Sequence, residues 1–202
     1  MPATELLLLT AHCDDGELWA GGTVKKFVQT GSRVVLAIAN HDAQRRREAE
    51  KGAAVLGCEV WFRQSNDDLT QWTSRCLHEA QPEVLITHPL TDPHFEHGEV
   101  AGVVRKALTK SKQRRRYPMR WYYFDTYYST EHLGIPFLID ISSHFDLKCK
   151  ALKCHRSQEP AGLIAMARKM NQLHGEKIRV KYAEAFYPFS LLGRFPLFRD
   201  LP

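Results

Sequence analysis

A short segment near the start of the chain combines a histidine with three carboxylates. The apolar run Leu6–Leu9 is followed closely by His12, Asp14, Asp15 and Glu17. Imidazole and carboxylate groups are the ligands that zinc and similar divalent metals accept. The segment therefore predicts one half of a metal site, and the other half has to come from elsewhere in the chain.

A second cluster of the same residue types follows another apolar run, Val84–Thr87. The residues from 88 to 97 read His-Pro-Leu-Thr-Asp-Pro-His-Phe-Glu-His. Three histidines and two carboxylates in so short a loop are well above the background of this chain. The segment is the best candidate for the second half of the site.

Apolar runs and helical patterns alternate four times in the first half of the chain, which predicts an α/β fold. The expected architecture is a Rossmann-like three-layer sandwich with a mostly parallel sheet of strand order 3-2-1-4. Strands one and four are then neighbours, and ligands bind beyond their carboxyl ends. The predicted elements are the strands Glu5–Thr10, Arg33–Ala39, Cys58–Arg63 and Val84–Thr87 and the helices Leu18–Gln29, Arg45–Leu56, Leu69–Ala80 and Glu99–Leu108.

The second half is less regular, but no linker or repeat separates it from the first. We therefore expect one domain spanning residues 1–202. An aromatic-rich stretch at 120–128 predicts a strand running into a loop, and residues 188–202 read as an irregular tail. The other predicted elements are the strands Phe137–Ile141 and Tyr182–Phe186 and the helices Phe145–His155 and Ala161–His174.

Composition is typical of a soluble globular protein, with 44% hydrophobic and 25% charged residues. No apolar run approaches the roughly 20 residues of a membrane helix, and the first run is too short for a signal peptide. The 5 cysteines are irregularly spaced, which favours reduced thiols over disulfides or a zinc ribbon. We expect a cytoplasmic protein without a membrane anchor, and we leave a homo-oligomer open.

Two other binding classes are disfavoured. The net charge of +5 includes a basic run from Lys110 to Arg116, but such runs are usually solvated, and no aromatic ladder supports a nucleic-acid partner. A dinucleotide-binding turn needs Gly-x-Gly-x-x-Gly. Here that turn carries Asp14 and Asp15, which would repel a phosphate, and the pair Gly21-Gly22 comes later.

Both clusters resemble the signatures of one family. Ala11–Glu17, Ala-His-Cys-Asp-Asp-Gly-Glu, resembles the Ala-His-Pro-Asp-Asp-Glu motif of the LmbE-like, or PIG-L-type, de-N-acetylases. His94–His97, His-Phe-Glu-His, is similar to the family's His-Pro-Asp-His. The similarity covers most of the chain, because further matches follow in the family's order at Arg47–Gly57, Asp67–Leu69, His155–Gln158 and Tyr182–Phe186.

Members of this family are zinc-dependent hydrolases that remove an acyl group, usually acetyl, from an amino sugar or a related glycoconjugate. The resemblance implies that His12, Asp15 and His97 bind Zn²⁺, or another divalent metal such as Fe²⁺. It also implies that Asp14 is the general base and that a protonated His94 stabilises the oxyanion. The implied partner is a small-molecule N-acylated substrate.

Three more residues are candidates for substrate contacts. Arg47 would clamp a polar group, although a helix arginine also pairs readily with Glu50. Asp67 and Asp68 would bind sugar hydroxyls, although turn chemistry explains them equally well. His88 is expected to orient a ligand or to have no role in the site. Asp92 is expected either to orient a ligand or to form a turn.

The chain departs from the family pattern at Cys13, where proline is usual, and at Glu96, where aspartate is usual. Cys13 is expected to pack rather than to bind metal. The extra residue Gly16 shifts Glu17 out of its motif position, and we expect it to serve only as an N-terminal helix residue. Two rival functions remain open from the sequence, a phosphoesterase on the same metal site and a non-enzymatic binding domain.

Overall fold

The first half of the chain alternates strand and helix as the sequence predicts. The computed structural model describes residues 5–110, 120–126 and 135–189. Its first half contains β1 (Leu6–Thr10), α1 (Asp15–Gln29), β2 (Val34–Ile38), α2 (Ala43–Leu56), β3 (Glu59–Phe62), α3 (Leu69–Ala80), β4 (Val84–Thr87) and α4 (Phe95–Lys110).

The second half adds three strands to the same sheet. Its elements are β5 (Arg120–Phe124), β6 (Phe137–Asp140), α5 (Phe145–Leu152), a 3₁₀ turn (Arg156–Gln158), α6 (Pro160–Lys177) and β7 (Ala183–Pro188). Residues 112–116 of the basic run, Tyr127, Tyr128 and the tail from residue 190 lie outside the described residues.

The described strands form one sheet of order β3-β2-β1-β4-β5-β7-β6. The predicted order 3-2-1-4 is confirmed, and β1 pairs in parallel with both β2 and β4. Only β7 runs against the others, since it pairs antiparallel with β5 and with β6. Parallel strands end at the same edge of a sheet, so the loops after β1 and β4 start side by side.

The central strand β1 is buried on both faces. Side chains alternate across a strand. Leu6 and Leu8 therefore pack with α1, α2 and α5, while Leu7 and Leu9 pack with α3 and α4. Each of the four leucines is at most 1% exposed. A continuous apolar run of this kind fits only a strand with helices on both sides, which gives the three layers.

Two helices begin three or four residues earlier than the sequence predicts. Helix α1 starts at Asp15 rather than Leu18, and α4 starts at Phe95 rather than Glu99. The first turns of both helices are polar, so apolar periodicity does not reveal them. Carboxylates are nevertheless stable there, because they complement the positive end of the helix dipole. The predicted metal ligands Asp15 and His97 consequently lie on helices.

A buried ion pair joins the second half of the chain to α1. Lys148 in α5 donates hydrogen bonds to Glu184 (2.6 Å) and to Asn171 (2.8 Å). Glu184 in β7 also accepts hydrogen bonds from the backbone N–H groups of Gly22 (3.0 Å) and Thr23 (2.7 Å). Both charged side chains are fully buried, and a buried charge is stable only when it is paired.

The aromatic stretch of β5 is mostly core, since Trp121, Tyr122 and Phe124 are buried.

All 5 cysteines carry free thiols, as expected. Among the described helices, none has the length and apolar character needed to cross a membrane.

Close packing of α1 against the end of β6 gives a test of this arrangement. A Cβ atom at Gly22 would lie 2.6 Å from that of Ile141, so we expect Gly22→Ala to lower the free energy of unfolding by about 1–3 kcal/mol. Urea denaturation measures this change. Gly102→Ala is the matched control, because nothing lies within 4 Å of that position. The packing is contradicted if both variants are equally stable.

Candidate metal centre

The loops that follow β1 and β4 are connected to each other where they leave the sheet. The Thr87 hydroxyl donates to the carbonyl of Leu9 (2.8 Å). Just beyond this contact, the backbone N–H of Ala11 donates to Nε2 of His88 (3.0 Å). These two contacts hold the loops together at the point where the histidines and carboxylates begin.

The three predicted metal ligands lie within direct contact of one another. Nδ1 of His12 is 3.1 Å from Nε2 of His97 and 3.6 Å from Oδ2 of Asp15. Nε2 of His97 is 3.4 Å from Oδ1 of Asp15. Ligand bonds of about 2.0–2.2 Å in a tetrahedral zinc site place ligand atoms roughly 3.4 Å apart. The two distances to Asp15 run to its two different oxygens, and all three distances are close to this spacing.

Two overlapping groups among the described residues have the spacing of a metal site. One contains His12, His94 and His97, and the other contains Asp15, His88 and His97. His97 belongs to both and is the centre of the cluster. The rings of His88 and His94 both stack on that of His97, with centroids 3.8 and 4.5 Å away.

Asp15 is a buried carboxylate that faces three histidines. Burial alone would raise its pKa, but the neighbouring imidazoles of His88, His12 and His97 hold that pKa well below its usual range. Its Oδ2 atom also accepts the backbone N–H of His12 (2.7 Å). Asp15 is thus ionised and fixed in place, as a metal ligand needs to be.

Each of the two histidine ligands is held by a carboxylate on its other nitrogen. Nε2 of His12 is 2.6 Å from Oε2 of Glu96. Nδ1 of His97 is 3.1 Å from Oδ2 of Asp92, which also accepts a hydrogen bond from the hydroxyl of Thr126 (2.9 Å). Carboxylate partners of this kind fix the orientation of metal-binding imidazoles.

The same contacts shift the pKa of His97. Burial acts to lower it, but the hydrogen bonds to Asp15 and Asp92 raise the pKa of His97 to about 10. Metal binding at His97 therefore has to release a proton.

Asp14 lies beside these ligands and directly before α1. Burial, followed by the charge of Asp15, raises the pKa of Asp14, while His155 acts in the opposite direction. Its side chain does not cap the helix. A carboxylate with a raised pKa next to a metal site is suited to accept and return a proton.

Cys13 and His94 differ in their surroundings. Cys13 is 1% exposed and packs with Ile38 and Ala49, and burial raises the pKa of its thiol to about 12. The thiol is therefore protonated and packs, as expected.

His94 is an exposed residue of the cluster. The partial loss of solvent around its ring, and then the charges of His97 and His12, lower the pKa of His94.

Glu17 lies in the first turn of α1, as expected, and also contacts a buried histidine. It is the third residue of the helix and is fully buried, with Oε1 3.3 Å from Nε2 of the equally buried His155. Gly52 in α2 leaves the room for this pair, since a Cβ atom there would lie 2.4 Å from Oε1 of Glu17. Glu17 is thus more than a surface residue at a helix start.

The three residues predicted to contact substrate have no contact with the ligand cluster among those described below. Arg47 is exposed on α2, and Glu50 pairs with Arg46 instead (3.1 Å). Asp67 forms an ion pair with Arg75 (2.5 Å). Asp68 caps α3 by accepting the backbone N–H of Gln71 (2.9 Å). A substrate contact from Arg47, Asp67 or Asp68 stays a prediction.

Two contributors to the site have no signal in the sequence. Asn40, at the end of β2, donates to Oε1 of Glu96 (3.0 Å), and Thr126, just after β5, donates to Asp92. Both are single polar residues in loops far from the two motifs. Only the sheet order, in which β2 and β5 flank β1 and β4, would have identified them.

The fold and the cluster together define an α/β protein with a candidate metal site beyond the carboxyl ends of the central strands. A family model, PIG-L (GlcNAc-PI de-N-acetylase), matches residues 7–108, just over half of the chain. The chain belongs to this family. The matched segment contains every residue of the ligand cluster.

Solved structures share this fold at low sequence identity. N,N′-diacetylchitobiose deacetylase from Pyrococcus horikoshii aligns with a TM-score of 0.75 and 22% identity over 93% of this chain and 84% of its own. A pseudoaglycone deacetylase for an antimicrobial reagent gives 0.72 and 18% over 92% and 96%. The 4-carboxy-2-hydroxymuconate hydratase from Pseudomonas putida gives 0.76 and 19% over 98% and 99%. The fold therefore accommodates more than one reaction.

The hydrogen bond from Thr126 to Asp92 provides a test of the cluster. We expect Thr126→Val, which has nearly the same shape, to weaken zinc binding by roughly 10-fold, because Asp92 then holds His97 less firmly. Titration of the metal-free protein against a competing chelator measures this affinity. Thr109→Val is the control, since Thr109 bonds only to carbonyls of its own helix. Equal affinity of both variants would contradict the role of Thr126.

Proposed function

We propose that this protein is a zinc-dependent N-deacetylase. It hydrolyses the amide bond of an N-acyl group, usually acetyl, on an amino sugar or related glycoconjugate. The observation that carries the proposal is the spacing of His12, Asp15 and His97, 3.1–3.6 Å between ligand atoms. Asp14, a carboxylate with a raised pKa, lies beside them. Family membership supports the deacetylase reaction.

The donor set suits zinc. Two imidazoles and one carboxylate leave a fourth position open, which is the arrangement of catalytic rather than structural zinc sites. When bound there, the metal supplies Lewis acidity, which lowers the pKa of water and polarises an amide carbonyl. Fe²⁺ accepts the same ligands.

The residues around the metal have separate roles in this proposal. Asp14 takes the proton of the attacking water and passes it to the leaving amine. His94, which is exposed beside His12 and His97, hydrogen-bonds to the oxygen that becomes negative. The contribution of such a hydrogen-bond donor is about 3 kcal/mol.

The substrate class follows from similarity and from the position of the site. One structural neighbour is a deacetylase of N,N′-diacetylchitobiose, and another is a pseudoaglycone deacetylase of an antimicrobial reagent. We propose a small N-acylated substrate of this type, with Arg47, Asp67 and Asp68 on its outer side. The free cysteines support a reducing compartment such as the cytoplasm.

Metal content is the first test. We expect about one zinc per chain, measured by elemental analysis after dialysis. His97→Ala should weaken zinc binding by at least 100-fold, because His97 is the residue common to both ligand groups. His78→Ala is the control, since His78 is exposed on α3. A protein that binds no divalent metal would refute the proposal.

The second test concerns Asp14. We expect Asp14→Asn to lower kcat by about 10²–10⁴-fold, because the general base is lost, while zinc content stays near one per chain. Acetate release is measured over a panel of N-acetylated amino sugars, with Asp146→Asn as an exposed control on α5.

Phosphate esters in the same panel test the alternative reaction. Phosphate release without acetate release would favour a phosphoesterase. No product from any substrate by the zinc-loaded protein, with salt-sensitive binding to unrelated nucleic acids, would favour a binding domain.

A further inference from the structure

Glu96 lies in the first turn of α4, one residue before the ligand His97. Its two carboxylate oxygens have different partners. Oε2 is 2.6 Å from Nε2 of His12, and Oε1 accepts a hydrogen bond from the side-chain amide of Asn40 (3.0 Å). The carboxylate therefore bridges a residue after β1 and a residue after β2.

We propose that Glu96 is a positioning residue for the metal site, because its contact with Nε2 fixes the tautomer and the orientation of the His12 ring. This inference rests on the proposed zinc site. Neutral imidazole carries its proton on one nitrogen, and the partner of the other nitrogen decides which. A carboxylate at Nε2 keeps the proton there, so that the lone pair of Nδ1 faces Asp15 and His97.

The side-chain amide of Asn40 has one orientation in which it donates a hydrogen bond to Glu96. Its side-chain oxygen accepts a hydrogen bond from Arg63 (3.2 Å), so its NH₂ group has to be the part that faces Glu96. Its backbone N–H donates to the carbonyl of Ala11 (2.8 Å), which fixes its position next to the first motif.

Arg63 in turn is anchored to the ends of two neighbouring strands. Its Nε atom donates to the carbonyl of Ala39 (3.0 Å) and its Nη1 atom to that of Asp67 (3.3 Å). The series Arg63, Asn40, Glu96, His12 is therefore a continuous chain of hydrogen bonds. It connects the carboxyl ends of β2 and β3 to a metal ligand after β1.

The length of the Glu96 side chain suits this role. The similar family motif has aspartate at this position, and an aspartate is shorter by one methylene group. From the same backbone position it reaches His12 or Asn40 but not both. Glutamine at this position has one acceptor oxygen, whereas His12 and Asn40 both present N–H groups, so one donor would lose its acceptor.

The test compares zinc dissociation constants of metal-free proteins at one pH, by competition with a chromophoric chelator. We expect Glu96→Gln to weaken zinc binding by roughly 10–100-fold. Glu96→Asp and Asn40→Ala should each lose less, because both keep a negatively charged carboxylate at this position, whereas glutamine is neutral.

Glu99→Gln is the matched control, since Glu99 is exposed one turn further along α4, and its affinity should equal that of wild type. Thermal unfolding of the metal-free variants shows whether Glu96→Gln is folded. If it is not, Asn40→Ala replaces it as the test variant. Wild-type affinity in Glu96→Gln overturns this inference and leaves the proposed function standing. A wild-type protein that binds no zinc overturns both.

Discussion

The buried carboxylate of Asp15 is the constraint on which the rest of the site depends. It is 4% exposed, and an ionised group removed from water is stable only with compensating partners. The backbone N–H of His12 and the imidazoles of His88 and His97 provide them. Three histidines therefore converge on one buried carboxylate, and the polar groups of the candidate site are held together by their own contacts.

The sheet explains why these partners meet at all. Thr87 in β4 lies opposite Leu9 in β1, so His88 follows at the level of the first motif. The neighbouring strands on either side then add one polar residue each, Asn40 from β2 and Thr126 from β5. Four successive strand ends therefore contribute to one cluster, which local sequence cannot achieve because the strands are far apart along the chain.

The sequence was informative where a signal is local and weak where a contact is long-range. The continuous apolar run Leu6–Leu9 correctly predicted a central strand, and the two polar loops correctly predicted where histidines and carboxylates gather. The placement of β7 between β5 and β6 was not predicted, because antiparallel insertion depends on pairing between distant segments. The starts of α1 and α4 were missed because their first turns are polar and carry the site itself.

The start of α1 gives different environments to three carboxylates that lie within four residues of the sequence. Residues two apart on a helix differ by about 200°, so Asp15 and Glu17 face opposite sides. Asp15 points to the histidines after β1 and β4, and Glu17 points to His155 and Gly52. Asp14 precedes the helix and lies between two charged groups, so its pKa is raised by Asp15 and lowered by His155. Two carboxylates are thus committed to buried partners, and the third is the one suited to proton transfer.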